Sequence, residues 1–224
     1  MTHHALVVSP QAGWAAGSGL AQALSWLSLP THEVPSLRDA GNAAVAVVVL
    51  APGQAPPAAA QWAHAGLARA IRFTAGARLA MPAGVNGHLD EPIAEGAVAR
   101  ALARAGYTLP LAGERGAIAR RIGGLVDGNA RLMAELIACL FAGHRADVRA
   151  FRQACVQRCW ADAAMYAHRI KGTAGMTGTP SLARLSQRIE DLARDGQADA
   201  VNGLAALYVP AARRVSDALA ALAA

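Results

Sequence analysis

The hydrophobic pattern of this chain changes period once, and the change dictates two different kinds of fold. In the first half, Ala5 to Ser9 (ALVVS) and Ala43 to Leu50 are continuous apolar runs of strand length, and Gly19 to Leu29 between them spaces its apolar residues like an amphipathic helix. Strand, helix, strand in that order predicts a parallel sheet, whose strands are apolar on both faces. A helical stretch from Ala58 to Ala70 follows the loop APGQAPP, then a short strand at Ile71 to Thr74, the segment GVNGHLDEPI (Gly84 to Ile93), and a helix at Glu95 to Ala105.

From Pro110 to Gly116 the stretch PLAGERG mixes proline, glycine and opposite charges without periodicity, as a linker does. Beyond it every segment repeats at three and four residues. Helices are predicted over Asp127 to Ala142, Ala146 to Trp160, Ala161 to Met176, Pro180 to Arg194 and Ala198 to Leu222. Their short connections predict an antiparallel bundle. Pro180 suits the first turn of its helix with Thr179 as cap, and Pro210 is expected to kink or split the last helix. The organisation read from this pattern is an α/β domain over 1–109, a linker over 110–116 and an all-α bundle over 117–224.

Composition narrows the function classes. Hydrophobic residues make up 54% of the chain and aromatic residues 4%, so alanine-sized side chains do most of the packing and helices must approach closely. The longest apolar run, Ala43 to Ala51, is far short of the roughly 20 residues of a membrane span. The start MTHHALVVSP lacks the basic and extended apolar regions of a secretory signal, which makes the cytoplasm the expected location. The formal charge of +6 invites nucleic acid as a partner. Yet the arginines are scattered and no basic stretch is interleaved with aromatics, so an acidic protein partner explains the charge better. Cys139, Cys155 and Cys159 form no CxxC pair and read as buried free thiols.

The residues that carry chemistry lie in AHRIKGTAG, Ala167 to Gly175. At about 100° per residue, Ala163, Ala167, Ile170 and Ala174 share one arc of the helix, its core face. His168, Lys171, Gly172 and Gly175 share nearly the opposite one, facing solvent. Each glycine costs about 1 kcal/mol relative to alanine in a helix interior, so two on the face of His168 indicate that a partner needs the space. An imidazole nitrogen is a nucleophile whose phosphoramidate readily passes its phosphoryl group on. Lys171, one turn away, would offset the added negative charge.

This stretch resembles the signature of the histidine-containing phosphotransfer (HPt) domain, His-x-x-Lys-Gly with a further glycine, here His168, Lys171, Gly172 and Gly175, with Gly178 ending the helix. SLARLSQRIEDL, Ser181 to Leu192, resembles the family's next helix, with Leu182, Leu185, Ile189 and Glu190 in the expected places. The resemblance covers roughly 117 to 222. It implies a four-helix bundle without an ATP-binding site, and therefore a phosphoryl carrier rather than a kinase. His168 is the implied phosphoacceptor and Lys171 its charge support, with Arg169, Gly172 and Gly175 on the docking face. The implied partners are receiver domains of a hybrid sensor kinase and of response regulators, with no nucleic acid or membrane partner. No intrinsic cofactor is implied; the divalent cation, Mg2+, belongs to the partner receiver. Thr177 departs from the family, which usually has an apolar residue there, and puts local packing in question.

The first half resembles a receiver domain, a flavodoxin-like parallel sheet. FTAGA (Phe73 to Ala77) matches the strand end that carries the receiver hydroxyl, at Thr74, and Pro92 matches the proline of a Lys-Pro pair whose lysine is here Glu91. Between Thr74 and Gly84 there is little room for a full helix. Where a receiver has its acidic pair this chain has Ser9-Pro10-Gln11, and where it has its phosphoacceptor aspartate, Ala51. A carboxylate nucleophile and an oxygen-held cation are both required for phosphorylation, so the expectation is a pseudo-receiver that cannot be phosphorylated.

Two functions stay open on the residues alone: a phosphorelay intermediate using His168, or a non-catalytic scaffold that sequesters receiver domains. His3, His4, His32, His64, His88 and His144 are expected in solvated loops or partly buried. Trp14, Trp26, Trp62 and Trp160 are expected to anchor packing, and Arg120-Arg121 and Arg213-Arg214 to lie on solvated faces.

Overall fold

The structure is a computed structural model and describes residues 3–40, 44–76, 82–111 and 115–223. It consists of two compact units, Met1–Tyr107 and Thr108–Ala224. Within the expected linker, residues 112–114 lie outside the described residues, as do Ala43, Ala77 and the rest of 77–81.

In the first unit the order is β1 (His4–Val8), α1 (Trp14–Gly17), α2 (Leu20–Trp26), β2 (Thr31–Val34), a 3-10 turn (Leu37–Asp39), β3 (Val45–Leu50), α3 (Ala59–His64), β4 (Ile71–Ala75), β5 (Gly87–Leu89) and α4 (Glu95–Arg104). Every neighbouring pair of strands is parallel, in the order β2-β1-β3-β4-β5. Ala5 to Val8 and Val47 to Leu50 are all buried, as apolar runs in a sheet covered on both faces must be. Helix α2 packs against α4, and the two reach the sheet edges at β2 and β5 respectively. On one side of the sheet Trp62, Leu67 and Ala70 cluster with Leu6, Val8, Val34, Val48 and Leu50. Strands β2 (THEV) and β5 (GHL) escape the sequence pattern because they are the edges, where polar residues and a glycine suffice. Helix α3 is shorter than the predicted 58–70. The Glu91–Pro92 peptide is cis.

The second unit is helical: α5 (Arg115–Leu125), α6 (Ala130–Gln157), α7 (Trp160–Thr177), α8 (Pro180–Arg194) and α9 (Ala198–Ala223). Each of α6 to α9 packs on the next, α9 returns to α6, and α5 lies against α9, α7 and α6. Helix α5 is an addition to the predicted set. The break predicted after Ala142 is absent, and one 28-residue helix runs through it. A lone Gly143 costs only about 1 kcal/mol, and a buried His144 anchors the same turn. Pro210 does not split α9. It sits on the exposed side, where water can serve the carbonyl that its missing N–H leaves free.

The predicted core face of α7 is buried, with Ala163, Ala167, Ile170 and Ala174 fully inaccessible, as are Leu182, Leu185 and Ile189 of α8. Phe151 meets Tyr208 edge-on at 5.0 Å between ring centroids, and the Tyr208 hydroxyl pairs with Ser186 Oγ at 3.0 Å. Burial pushes the Tyr208 phenol upward and the Cys155 thiol up to about 11.

Five side-chain expectations need correction. The cysteines are free but not buried, since Cys139 and Cys159 are exposed and Cys155 is half-buried. Thr177 packs without penalty, because its buried hydroxyl donates to the Thr173 carbonyl at 2.9 Å and pairs with Thr179 Oγ1 at 3.1 Å. Thr179 occupies the cap position of α8, but its hydroxyl reaches back to the Ala174 carbonyl at 3.2 Å instead of capping. His144 is neither solvated nor partly buried: it is fully enclosed, with Nε2 2.8 Å from the Ala212 carbonyl oxygen. Arg214 is not simply solvated, since it donates to the Leu109 carbonyl.

Candidate functional site

Helix α7 presents His168 because its core face is set by small residues on the opposite arc. The His168 side chain is 62% exposed. Gly172 and Gly175 are exposed beside it, and a Cβ built on either meets nothing within 4 Å. The helix ends at Gly178, whose φ of 67° suits glycine.

Beneath the imidazole lies Glu190 of α8, only 2% exposed. His168 Nδ1 is 3.2 Å from its Oε1 and 3.3 Å from its Oε2. Lys171 Nζ donates to Glu190 Oε2 and to Gln187 Oε1, both at 2.7 Å. Arg194, one turn further along α8, donates to Glu190 Oε1. Burial would raise the Glu190 carboxyl. The hydrogen bonds from Lys171 and His168, with the charges of Lys171 and Arg194, outweigh it and hold the group below its ordinary range.

An ionised carboxylate only accepts hydrogen bonds, so the contact requires Nδ1 to carry the proton. In the neutral ring the lone pair then resides on Nε2, which makes no hydrogen bond among the described residues. The arrangement is a nucleophilic nitrogen at the surface, oriented by a buried anion, with an ammonium within one turn.

Arg169 lies beside His168 and pairs through Nε with Asp147 Oδ1 of α6 at 3.0 Å. Asp147 is buried, which raises its carboxyl despite the opposing charges of Arg169 and His144. His144 is lowered, first by burial, with the Ala212 carbonyl and Asp147 opposing. Its Nδ1 has no hydrogen-bond partner among the described residues. This pair fixes α6 on α7 beneath Arg169.

All five residues singled out in the sequence, His168, Arg169, Lys171, Gly172 and Gly175, thus lie on one helix, and α8 completes the cluster. Gln187 and Arg194 were not anticipated, and Glu190 was noted only as fitting the family's helix. Their signal was present: Gln187, Glu190 and Arg194 recur at three and four residues, and Glu190 follows directly on the core residue Ile189.

In the first unit the strand ends hold a different set. Ser9 Oγ donates to the Gln11 carbonyl at 2.8 Å. Ala51 stands at the end of β3, its N–H bonded to the Val8 carbonyl at 2.9 Å. Glu91 accepts from the Trp14 indole at 3.1 Å. Thr74 Oγ1 is 2.9 Å from His88 Nδ1, whose Nε2 is 2.8 Å from the Gly76 carbonyl oxygen. Since a carbonyl only accepts, Nε2 carries the proton and the Thr74 hydroxyl donates to Nδ1.

Compared with known families, residues 135–224 match the family model described as Hpt domain. The comparisons with curated proteins and with solved structures returned no match. The matched segment contains α7, α8, α9 and most of α6, and with them every member of the His168 cluster. The match indicates involvement in histidine phosphotransfer in two-component signalling, where such domains are phosphocarrier modules that interact with receiver domains.

Proposed function

We propose that this chain is a phosphorelay intermediate in which His168 carries a phosphoryl group between receiver aspartates. The observation that carries the reading is the Nδ1–Glu190 contact, because it leaves the lone pair on Nε2 at the open face. Nε2 attacks the phosphorus of an aspartyl phosphate, the bond from phosphorus to the carboxylate oxygen breaks, and the aspartate leaves as carboxylate. The ring keeps its Nδ1 proton and becomes cationic, and Glu190 lies against that new charge. No proton has to move in either direction. Lys171 supports the phosphoryl oxygens, and the cation, Mg2+, is supplied by the partner receiver.

In this reading α6 to α9 form the four-helix bundle of the carrier, with Arg169, Gly172 and Gly175 on the face where a receiver docks. The first unit is a degenerate receiver. Its strand order is that of flavodoxin-like sheets, and Ser9, Ala51 and Glu91 stand where the acidic pair, the nucleophile and the lysine would be. Lacking those groups, it neither takes nor holds phosphate.

The test is transfer from a labelled receiver. The wild-type chain is expected to acquire label on histidine within minutes and pass it to a second receiver, and His168→Ala to acquire none while melting unchanged. Label on the His168→Ala chain, or tight binding of the receiver without exchange, would overturn the carrier in favour of another nucleophile or of a scaffold.

A further inference from the structure

We infer that the first unit holds a binding site for a small amphipathic anion, in a cleft at the carboxyl ends of β1 and β3. The cleft has a volume of about 980 Å3, at the upper end of the range of small-molecule sites. It adjoins the position where the strand order reverses, since β1 is flanked by β2 on one side and β3 on the other. Open parallel sheets bind ligands beyond the carboxyl ends at such a point.

The cleft exists because the connection from β2 to β3 contains only the 3-10 turn Leu37–Asp39 among its described residues. It is not a bare sheet face awaiting a helix. Leu6, Val8, Val34, Val48 and Leu50 are already at most 4% exposed, so a partner helix would cover little apolar sheet. The apolar surface left open to a ligand comes from Leu37, Ala40, Pro57 and Ala60, with Val8 and Leu50 closed beneath them. The rim carries Arg38, Gln54 and His64, and none of these three side chains makes a hydrogen bond or ion pair among the described residues. Ser36 and Gln61, also on the rim, are engaged, with Asp39 at 2.9 Å and the Ala58 N–H at 2.8 Å.

Among the described residues no carboxylate lines the cleft; Asp39, which accepts from the rim residue Ser36, stands outside its lining. Its uncommitted groups are one permanent cation, one amide and one imidazole, which together favour a negatively charged head, and a guanidinium matches a carboxylate or phosphate with two parallel hydrogen bonds. The apolar surface takes the body of the ligand. The site contains none of the groups proposed for phosphoryl transfer and is independent of that reading.

The experiment is calorimetric titration of the full chain with decanoate and with decyl phosphate, below their micelle concentrations, using decyltrimethylammonium as the charge-reversed control. At least one of the anions is expected to bind at one site per chain and the cation at none; which anion binds more tightly assigns the head group. Arg38→Glu is expected to weaken binding at least tenfold, and Ala60→Trp, which fills the cleft from α3, to abolish it. Both variants should keep the wild-type circular dichroism. Failure of both anions to bind, equal binding of the cation, or unchanged affinity in folded Arg38→Glu would each overturn the site.

Discussion

Glycine is used for opposite purposes in the two units. In β5, a Cβ on Gly87 would lie 2.8 Å from the ring of Phe73, itself buried, so the sheet needs that glycine in order to close. On α7, a Cβ on Gly172 or Gly175 meets nothing, so the helix gains nothing from their absence of side chain. Buried polarity divides the same way. Ser9 is the one buried polar residue described in the first unit, whereas the second encloses His144, Asp147, Thr173, Thr177, Thr179, Ser186, Glu190 and Ser216. Burying such groups is unfavourable unless each is partnered. The helical unit therefore carries features that stability alone does not select, and two of them, Glu190 and Asp147, hold His168 and its neighbour Arg169.

The sharpest way to break this contrast is to remove the proposed acceptor of the second unit and, as its control, the receiver-like hydroxyl of the first. His168→Ala should reduce label from a phosphorylated receiver to background, and Thr74→Ala should leave it unchanged, read by autoradiography. Gly87→Ala should destabilise the first unit by about 1–3 kcal/mol, as overpacking does. Gly172→Ala should do the reverse in the second, raising its unfolding free energy by up to about 1 kcal/mol while slowing transfer. A glycine substitution on α7 that stabilised the unit with no loss of rate would remove the docking argument. Glu190→Gln keeps an acceptor for Nδ1 but removes the anion, and should slow transfer by about tenfold, the scale of one charge-assisted hydrogen bond.

The smallest effect is on pH dependence. Burial lowers His144 below 6.5 in the folded state, so the unfolded chain binds that proton first and stability must fall as pH drops below about 6.5. Glu190, also lowered, extends the loss below 4.5, and Asp147, which is raised, opposes it near 3.8. Urea midpoints for the second unit should thus decline from pH 7 to 5.5, and His144→Gln should flatten that decline. An unchanged slope in the variant would assign it to another group.

The central strands and the core face of α7 were legible because burial on both faces or along one arc leaves a periodic trace in sequence. Strands β2 and β5 were not, since an edge needs no such period. Helix α6 was divided at Gly143 because composition shows a weak helix former but not the buried His144 that offsets it. His168, Lys171 and the glycines were readable from spacing within one helix. Glu190 and Arg194 join them across a helix pair, a relation that no single-helix period contains, and Thr177 was misjudged because its hydroxyl is satisfied by its own helix, not by a neighbour.

The contact between His168 Nδ1 and Glu190 has a consequence for the work of reorganisation. Anything joined to Nε2 leaves that hydrogen bond intact, so the ring has the same orientation and the same partner whether empty or loaded. In the proposed relay, donor and acceptor would therefore meet an identical scaffold, and the difference between giving and receiving would lie in the partner alone.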